Sequence, residues 1–321
     1  MALIAHVSVL AGLVLSLILG PAVADPDAWK YAWPDTDFTT SSFTLKSIMS
    51  GGTPKDDGIP TFETVASIEH LADTEPVIGV SIDGDQRANP LQVLMWYEIV
   101  NDVVGGVPVS VTFCPLCNTA AVFNRRVDDR VLDVGTTGKL RYSDVVMYDR
   151  QTESWWQQFP GNSIIGELAD TVLNGVPARI ECFARFRARV PEGRVLVPNS
   201  PALRRYGANP YAGYDTRARP RLYFGEPPAG IVPLARVVTI GAQAWSLDLV
   251  REHRAMRVLE EVIITWEARQ SLVLGAGVIA EARAVGNMMV QRAPADGLIS
   301  VPYRVDLAFP AFQPEAPIHI E

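Results

Sequence analysis

The chain has 321 residues, 48% of them hydrophobic, with a formal charge of −8 at pH 7. That length suits one large domain or two modest ones. An acidic chain whose 28 Lys and Arg residues are scattered repels phosphate backbones, which argues against a nucleic-acid partner.

Met1 to Ala24 contain no Asp, Glu, Lys or Arg. An apolar stretch from Val7 to Leu19 is followed by the helix breakers Gly20-Pro21 and then by Ala22-Val23-Ala24, the small-x-small pattern of a signal-peptidase site. As a helix the stretch spans about 20 Å, short of a hydrocarbon core of about 30 Å. Residues 1–24 therefore read as a signal peptide, with Asp25 the expected mature N-terminus and the periplasm or the exterior the expected location. The alternative is an uncleaved anchor from Ala2 to Ala24 that ties the protein to the inner membrane; only then is the membrane a partner. Residues 25–58, rich in Trp, Pro, Asp, Thr and Ser, read as an extended arm on the main body.

From Val77 the signals become β. Val77 to Ile82 is a predicted strand and Asp83-Gly84-Asp85 a turn. Leu91 to Val100 has helical spacing, with Leu91, Leu94, Met95 and Ile99 on one face. Asn101-Asp102 with Gly105-Gly106 reads as turn chemistry, and Val107 to Phe113 as a strand that delivers the chain to Cys114. Further strands are predicted at 120–124, 131–134, 144–148 and 154–158, and a short helix around 182–190. The Pro- and Tyr-rich stretch 198–233 reads as an ordered, irregular connection.

A repeat is also present. The strand Val77 to Ile82, the helix beginning at Leu91 and the strand ending in Thr112-Phe113 recur in order as Val237-Val238-Thr239-Ile240, Leu247-Asp248-Leu249-Val250 and Thr265-Trp266. This alignment lays Cys114 on Glu267 and Cys117 on Gln270, so the second copy lacks both thiols. The predicted fold is α+β and strand-dominated, with two related strand–helix–strand halves from an internal duplication. Residues 59–232 form the first half and its connection, and 233–321 the second.

Asn101-Asp102-Val103-Val104-Gly105-Gly106-Val107-Pro108-Val109 leads into Val111-Thr112-Phe113-Cys114-Pro115-Leu116-Cys117. With Val122-Phe123-Asn124-Arg125, Gly138-Lys139-Leu140, Ser143-Asp144 and Met147-Tyr148-Asp149-Arg150-Gln151-Thr152-Glu153-Ser154, this resembles domain-of-unknown-function family 3179. The resemblance covers most of residues 56–320 and implies an exported, mostly bacterial protein; it supplies no mechanism. Where the family pattern often has Trp-His-Glu, this chain has Trp96-Tyr97-Glu98, so no role can rest on an imidazole there.

The chemistry centres on Cys114-Pro115-Leu116-Cys117. A tight turn can bring two Cα atoms within the roughly 4.4–6.8 Å that a disulfide needs, and a short ring is easily strained and exchangeable. Thiol–disulfide redox chemistry at Cys114 and Cys117 is the leading reading, with Cys114 the more exposed and lower-pKa thiol. It needs no cofactor, and its partner is a protein thiol or disulfide. The alternative is a protein that binds or delivers Cu(I) or Zn taken from a metal donor, with Cys114, Cys117 and a thioether such as Met147 as ligands. The third reading is a non-catalytic binding module in which a structural disulfide pins the turn. Asn101, Asp102, Lys139, Asp144, Asp149, Arg150 and Glu153 form a candidate supporting polar cluster, with Lys139 or Asp144 suited to acid–base roles. Cys182, beside Ile180 and Phe183, reads as a small buried hydrophobe. The chain holds no Gly-x-Ser-x-Gly elbow, phosphate loop or dinucleotide fingerprint.

Overall fold

Short apolar runs separated by Gly- and Asp-containing turns fold into hairpins, because a two-residue turn at positive φ matches the twist of the strands that it joins. A computed structural model describes residues 29, 33–39, 48–50, 59–220, 229–292, 299–300, 303–306 and 309–321. The expected signal peptide lies outside the described residues, as does most of the arm.

In chain order the first strands are β1 (Ile48–Ser50), β2 (Thr61–Thr64), β3 (Pro76–Ile82) and β4 (Asp85–Pro90), followed by helix α1 (Leu91–Tyr97), β5 (Ile99–Val104) and β6 (Val107–Cys114). Then come β7 (Thr119–Asn124), β8 (Arg126–Val127), β9 (Arg130–Val131), β10 (Val134–Arg141), β11 (Asp144–Asp149), β12 (Trp155–Gln157), β13 (Ser163–Ile165) and β14 (Asn174–Gly175). The middle of the chain holds β15 (Ala178–Cys182), α2 (Phe183–Arg189) and β16 (Arg194–Val197). The C-terminal part holds β17 (Val237–Ile240), β18 (Gln243–Ser246), α3 (Leu247–His253), β19 (Ala255–Val258), β20 (Val262–Glu267) and β21 (Asn287–Arg292). It closes with β22 (Ile299–Ser300), β23 (Arg304–Asp306), α4 (Phe309–Phe312) and β24 (Ile318–His319).

Besides the small β8–β9 ribbon, the described strands form five sheets, ordered β15-β3-β4-β16-β2, β14-β7-β6-β5, β1-β10-β11-β12-β13, β23-β17-β18-β24 and β19-β20-β21-β22. The arrangement is like that of a five-bladed β-propeller, with 42% strand against 14% helix. This corrects the expected α+β fold of two strand–helix–strand halves. Helices α1, α2 and α3 have only seven residues each, too few to be stable apart from the sheets that they join.

The two similar segments do share a local path, but each is distributed over two sheets. In the first, β3–β4 lies in one sheet and β5–β6 in the next; in the second, β17–β18 and β19–β20 are likewise divided. Neither segment is a self-contained half. The helix expected over 91–100 stops at Tyr97, because Glu98 caps it at φ 66° and Ile99 starts a strand. Asn101 and Asp102 sit within that strand, and the turn falls on Gly105 (φ 54°) and Gly106 (φ 78°).

One large apolar cluster takes in Leu94, Met95, Phe113, Val122 and Trp156 along with Val237, Trp245, Ile264 and Val290 from the C-terminal part. A separate cluster packs Trp29, Trp33 and Phe38 of the N-terminal region against Trp155, Val146, Ile164 and Ile165. Trp155 is wholly buried there, 5.2 Å from the ring of Trp29 and 5.3 Å from that of Phe38. Burial of a ring that size is worth roughly 3 kcal/mol, and it anchors the sheet that carries β11.

Candidate functional site

Cys114 ends β6 and pairs across the ladder with Thr119 at the start of β7, so residues 115–118 form the hairpin connection between them. The Asn118 N–H donates to the Pro115 carbonyl at 3.3 Å, and Asn118 takes φ 49°, a conformation that Asn tolerates better than most residues. Pro115 has no N–H to satisfy, which suits a residue leaving a strand. The whole stretch from Pro108 to Phe123 is buried, so the thiols lie under the surface.

The neighbouring sheet brings a second hairpin to them. β10 and β11 are joined at Arg141↔Asp144, leaving a two-residue turn with Tyr142 at φ 54° and Ser143 at φ 68°. Gly or Asn is the usual occupant of such positions. Bulky residues held there cost about 1–3 kcal/mol each and concentrate at functional sites. The turn presents its Ser143 carbonyl to the Cys114 thiol, which donates at 3.4 Å, and starts β11 with Asp144.

Asp144 is the residue that completes the centre. Cys117 Sγ donates to Asp144 Oδ1 at 3.0 Å. The other carboxylate oxygen, Oδ2, accepts from Gln157 Nε2 at 2.5 Å and from the Phe159 N–H at 2.8 Å. Gln157 and Asp144 are both fully buried. The next residue, Gln158, faces the other way and braces the cysteine hairpin. Its Nε2 donates to Thr112 Oγ1 at 2.9 Å and to the Thr119 carbonyl at 3.2 Å. The two thiol sulfurs and an Asp144 oxygen all lie within 4.8 Å of one another.

Both cysteines are free thiols, with no bridge between them. The expectation that Cys114 is exposed is corrected: each cysteine is 1% exposed. Burial pushes the Cys114 thiol up from its ordinary value, with a further upward push from the charges of Asp144 and Glu98 and a partial offset from the hydrogen bond with Cys117. Burial pushes Cys117 well above its ordinary value, and Asp144 adds to the effect. Cys114 is thus the easier of the two to ionise, though neither rests as a thiolate. Arg141, lowered by burial, faces Asp144 and lies over the rings of Tyr142 (4.5 Å) and Phe312 (5.6 Å). Phe312 of α4 stacks on Phe159 at 5.1 Å and meets Tyr142 edge-on at 5.5 Å. The C-terminal region thereby rests on the turn that supplies Asp144.

The rest of the expected polar cluster is elsewhere. Asn101 accepts from Ser110 Oγ at 2.6 Å and donates to the Val134 carbonyl at 2.7 Å, tying β5 to β6 and β10. Asp102 takes a bidentate pair from Arg87 Nη1 at 3.0 and 2.9 Å. Asp149, at the far end of β11 from Asp144, accepts from the Thr152 N–H at 2.7 Å and the Trp156 indole at 2.9 Å. Glu153 accepts from the Asp35 N–H at 3.1 Å, and Arg150 lies 5.7 Å from the Tyr148 ring. Lys139 is half-buried in β10, opposite Val146, and burial lowers its pKa. Of the seven, Asp144 alone is grouped with the two sulfurs among the described residues. Met147 follows Asp144 by three positions in β11, so strand alternation places it on the opposite face of that strand. Cys182 is buried, as a small hydrophobe would be, and caps α2.

Gln157, Gln158 and Phe159 do not stand out in the sequence, and Ser143 does so only as part of the family resemblance. One signal was available. Gln157-Gln158 comes directly after Trp155-Trp156 in a predicted strand, and two amides beside buried rings survive burial only when both are hydrogen-bonded.

The family described as "Protein of unknown function (DUF3179)" has a model that matches residues 56–308. No curated protein and no solved structure matches the chain.

Proposed function

Since the chain belongs to the DUF3179 family, whose function is unknown, its activity has to be argued from the site, and we propose that Cys114 and Cys117 form a thiol–disulfide redox centre. The observation that carries this is the 3.0 Å contact between Cys117 Sγ and a fully buried carboxylate oxygen. A purely structural turn has no use for an acid there, since burying a carboxylate beside a thiol costs free energy. Two thiols side by side with a proton acceptor have what disulfide formation requires: two sulfurs that can approach and a place for a proton. The predicted leader, cut after Ala24, would put the pair in an oxidising compartment. Intact-mass analysis of exported protein beginning at Asp25 supports that placement, and mass starting at Met1 removes it.

In the test, dithiothreitol-reduced protein, freed of reductant, is mixed with glutathione disulfide without oxygen and its peptides are mapped. The proposal expects a Cys114–Cys117 bridge and the release of two equivalents of glutathione. Thiols that persist unchanged under denaturant-free conditions contradict it.

A second reading rests on a specific observation, the grouping of two sulfurs and one oxygen within 4.8 Å. Two thiolates and a carboxylate suit Cu(I) or Zn, though a closed zinc site needs a fourth ligand. Protein purified without chelator separates the two. One tightly held metal per chain, lost in both Cys114→Ser and Cys117→Ser and protecting the pair from oxidation, favours the metal.

A further inference from the structure

Resting on the redox reading of the cysteine pair, we infer that Asp144 is the proton acceptor for Cys117, and that Cys117 is the thiol that closes the bridge. The two cysteines differ in where their protons point. The Cys114 thiol donates to a backbone carbonyl, Ser143 O, which cannot take the proton away. The Cys117 thiol donates to Asp144 Oδ1, a group that can. A general base needs to be within hydrogen-bond reach of the proton that it removes, and this one is.

The carboxylate is also held in one orientation. Its Oδ2 accepts from the Gln157 amide and the Phe159 N–H, and its Oδ1 accepts from the Cys117 thiol. Gln157 is a positioning residue: its amide donates to the carboxylate, and it acts on the sulfur through Asp144. The titratable groups around the pair are Glu98, Arg141 and Tyr142.

The steps balance with a small disulfide R–S–S–R as oxidant. Cys114 sulfur attacks one sulfur of R–S–S–R; the S–S bond breaks, the first R–S⁻ leaves and takes the Cys114 proton. A mixed disulfide, Cys114–S–S–R, remains. Cys117 sulfur then gives its proton to Asp144 and attacks Cys114 Sγ; the mixed S–S bond breaks and the second R–S⁻ leaves. Asp144 returns the proton to it, directly or through solvent. In sum, two protein thiols are oxidised to one disulfide and R–S–S–R is reduced to two R–SH.

The experiment monitors the second step. Reduced wild type, Asp144→Asn and Gln157→Ala are mixed with glutathione disulfide, quenched in acid at intervals, and the mixed and closed disulfides are separated by mass. In wild type, closure outpaces its formation and the mixed disulfide does not accumulate, and the rate climbs with pH less steeply than that of an unassisted thiol, because the proton goes to Asp144. Asp144→Asn accumulates the mixed disulfide, closes it about 100-fold more slowly, and gains roughly tenfold in rate per pH unit because only spontaneous thiolate then attacks. Gln157→Ala falls between the two while keeping the wild-type pH profile. Closure in Asp144→Asn at the wild-type rate and with the wild-type profile overturns the inference and leaves the redox reading standing. If wild type forms neither species, the redox reading falls and takes the inference with it. If Asp144→Asn does not fold, Gln157→Ala decides, and an unslowed closure overturns the inference.

Discussion

The segments 76–114 and 237–267 take the same course: a hairpin, a seven-residue helix and a second hairpin. Each helix ends on a residue at positive φ, Glu98 at 66° and Arg254 at 64°. In both, the capping N–H returns four residues, to Leu94 O at 2.8 Å and to Val250 O at 2.9 Å. Both capping carbonyls accept from the last strand, from the Phe113 N–H at 2.7 Å and the Trp266 N–H at 2.8 Å. Beyond those strands the two segments part. After Phe113 the chain turns inward through two buried thiols, while after Trp266 it turns outward to Glu267, whose side chain is 60% exposed and paired with Arg185. The backbone path can thus be used twice while the chemistry arises once. It arises where a neighbouring sheet offers Asp144 to the turn.

The largest effect expected is on that chemistry. Cys114→Ser abolishes bridge formation with glutathione disulfide, and Cys117→Ser stops at a mixed disulfide on Cys114. Glu267→Gln, at the matching position of the second segment, leaves the reaction intact. Mass analysis of the products checks all three.

Next in size is a change that presses on the second segment at Trp266. Gly286 sits at φ 88°, and a Cβ there would land on the Trp266 indole. Gly286→Ala combines a strained backbone with overpacking, each of which costs about 1–3 kcal/mol. Denaturant unfolding should show a loss of roughly 2–4 kcal/mol, while the folded fraction still forms the Cys114–Cys117 bridge. Loss of the bridge in folded protein would mean that the two segments are chemically coupled.

The third prediction concerns pH. Both thiols are raised above their ordinary value of 9.0 in the folded protein, so the folded state holds protons that the unfolded chain gives up. Their contribution is therefore fully present below about pH 9, the unfolded value, and is lost as pH rises toward and through the folded values. The reduced protein should lose up to about 1.4 kcal/mol per pH unit per thiol between the unfolded and the folded value. The bridged protein should show no such loss, and unfolding curves for the two forms at rising pH make the comparison.

The smallest effect concerns access. Phe312 stacks on Phe159 and touches Tyr142 beside Arg141. An aromatic contact of this kind is worth about 0.5–1.5 kcal/mol, so Phe312→Ala should speed labelling of the buried thiols by up to about tenfold. Stopped-flow labelling of reduced protein measures it, and an unchanged rate means that the cysteines are reached from another side.

The local elements were legible because their signals are local. Val77 to Ile82, the Gly105-Gly106 turn and Val107 to Phe113 carry apolar alternation or turn residues that specify their own conformation. The five-sheet arrangement was not legible, since the same hairpin–helix–hairpin path serves equally in two halves or spread over successive sheets, and only inter-sheet packing decides between them. The site was half legible. Cys114 and Cys117 stand out by spacing, and Asp144 could be named as an acid–base candidate. Nothing in the sequence placed Asp144 rather than Asp149 beside the thiols, since which carboxylate meets them depends on the packing of β11 against the β6–β7 turn. The burial of Cys114 was not legible for the same reason: a strand end is exposed unless another hairpin covers it, and the cover here is Tyr142-Ser143, 28 residues further along the chain.

The most direct test of the central claim is a redox titration in glutathione buffers at neutral pH, with the fraction of Cys114–Cys117 disulfide read by mass after acid quenching. A redox-active pair interconverts reversibly with a midpoint well above about −300 mV, the region typical of inert structural bridges. A pair that stays bridged down to that region, or that never bridges at the oxidising end, contradicts the account.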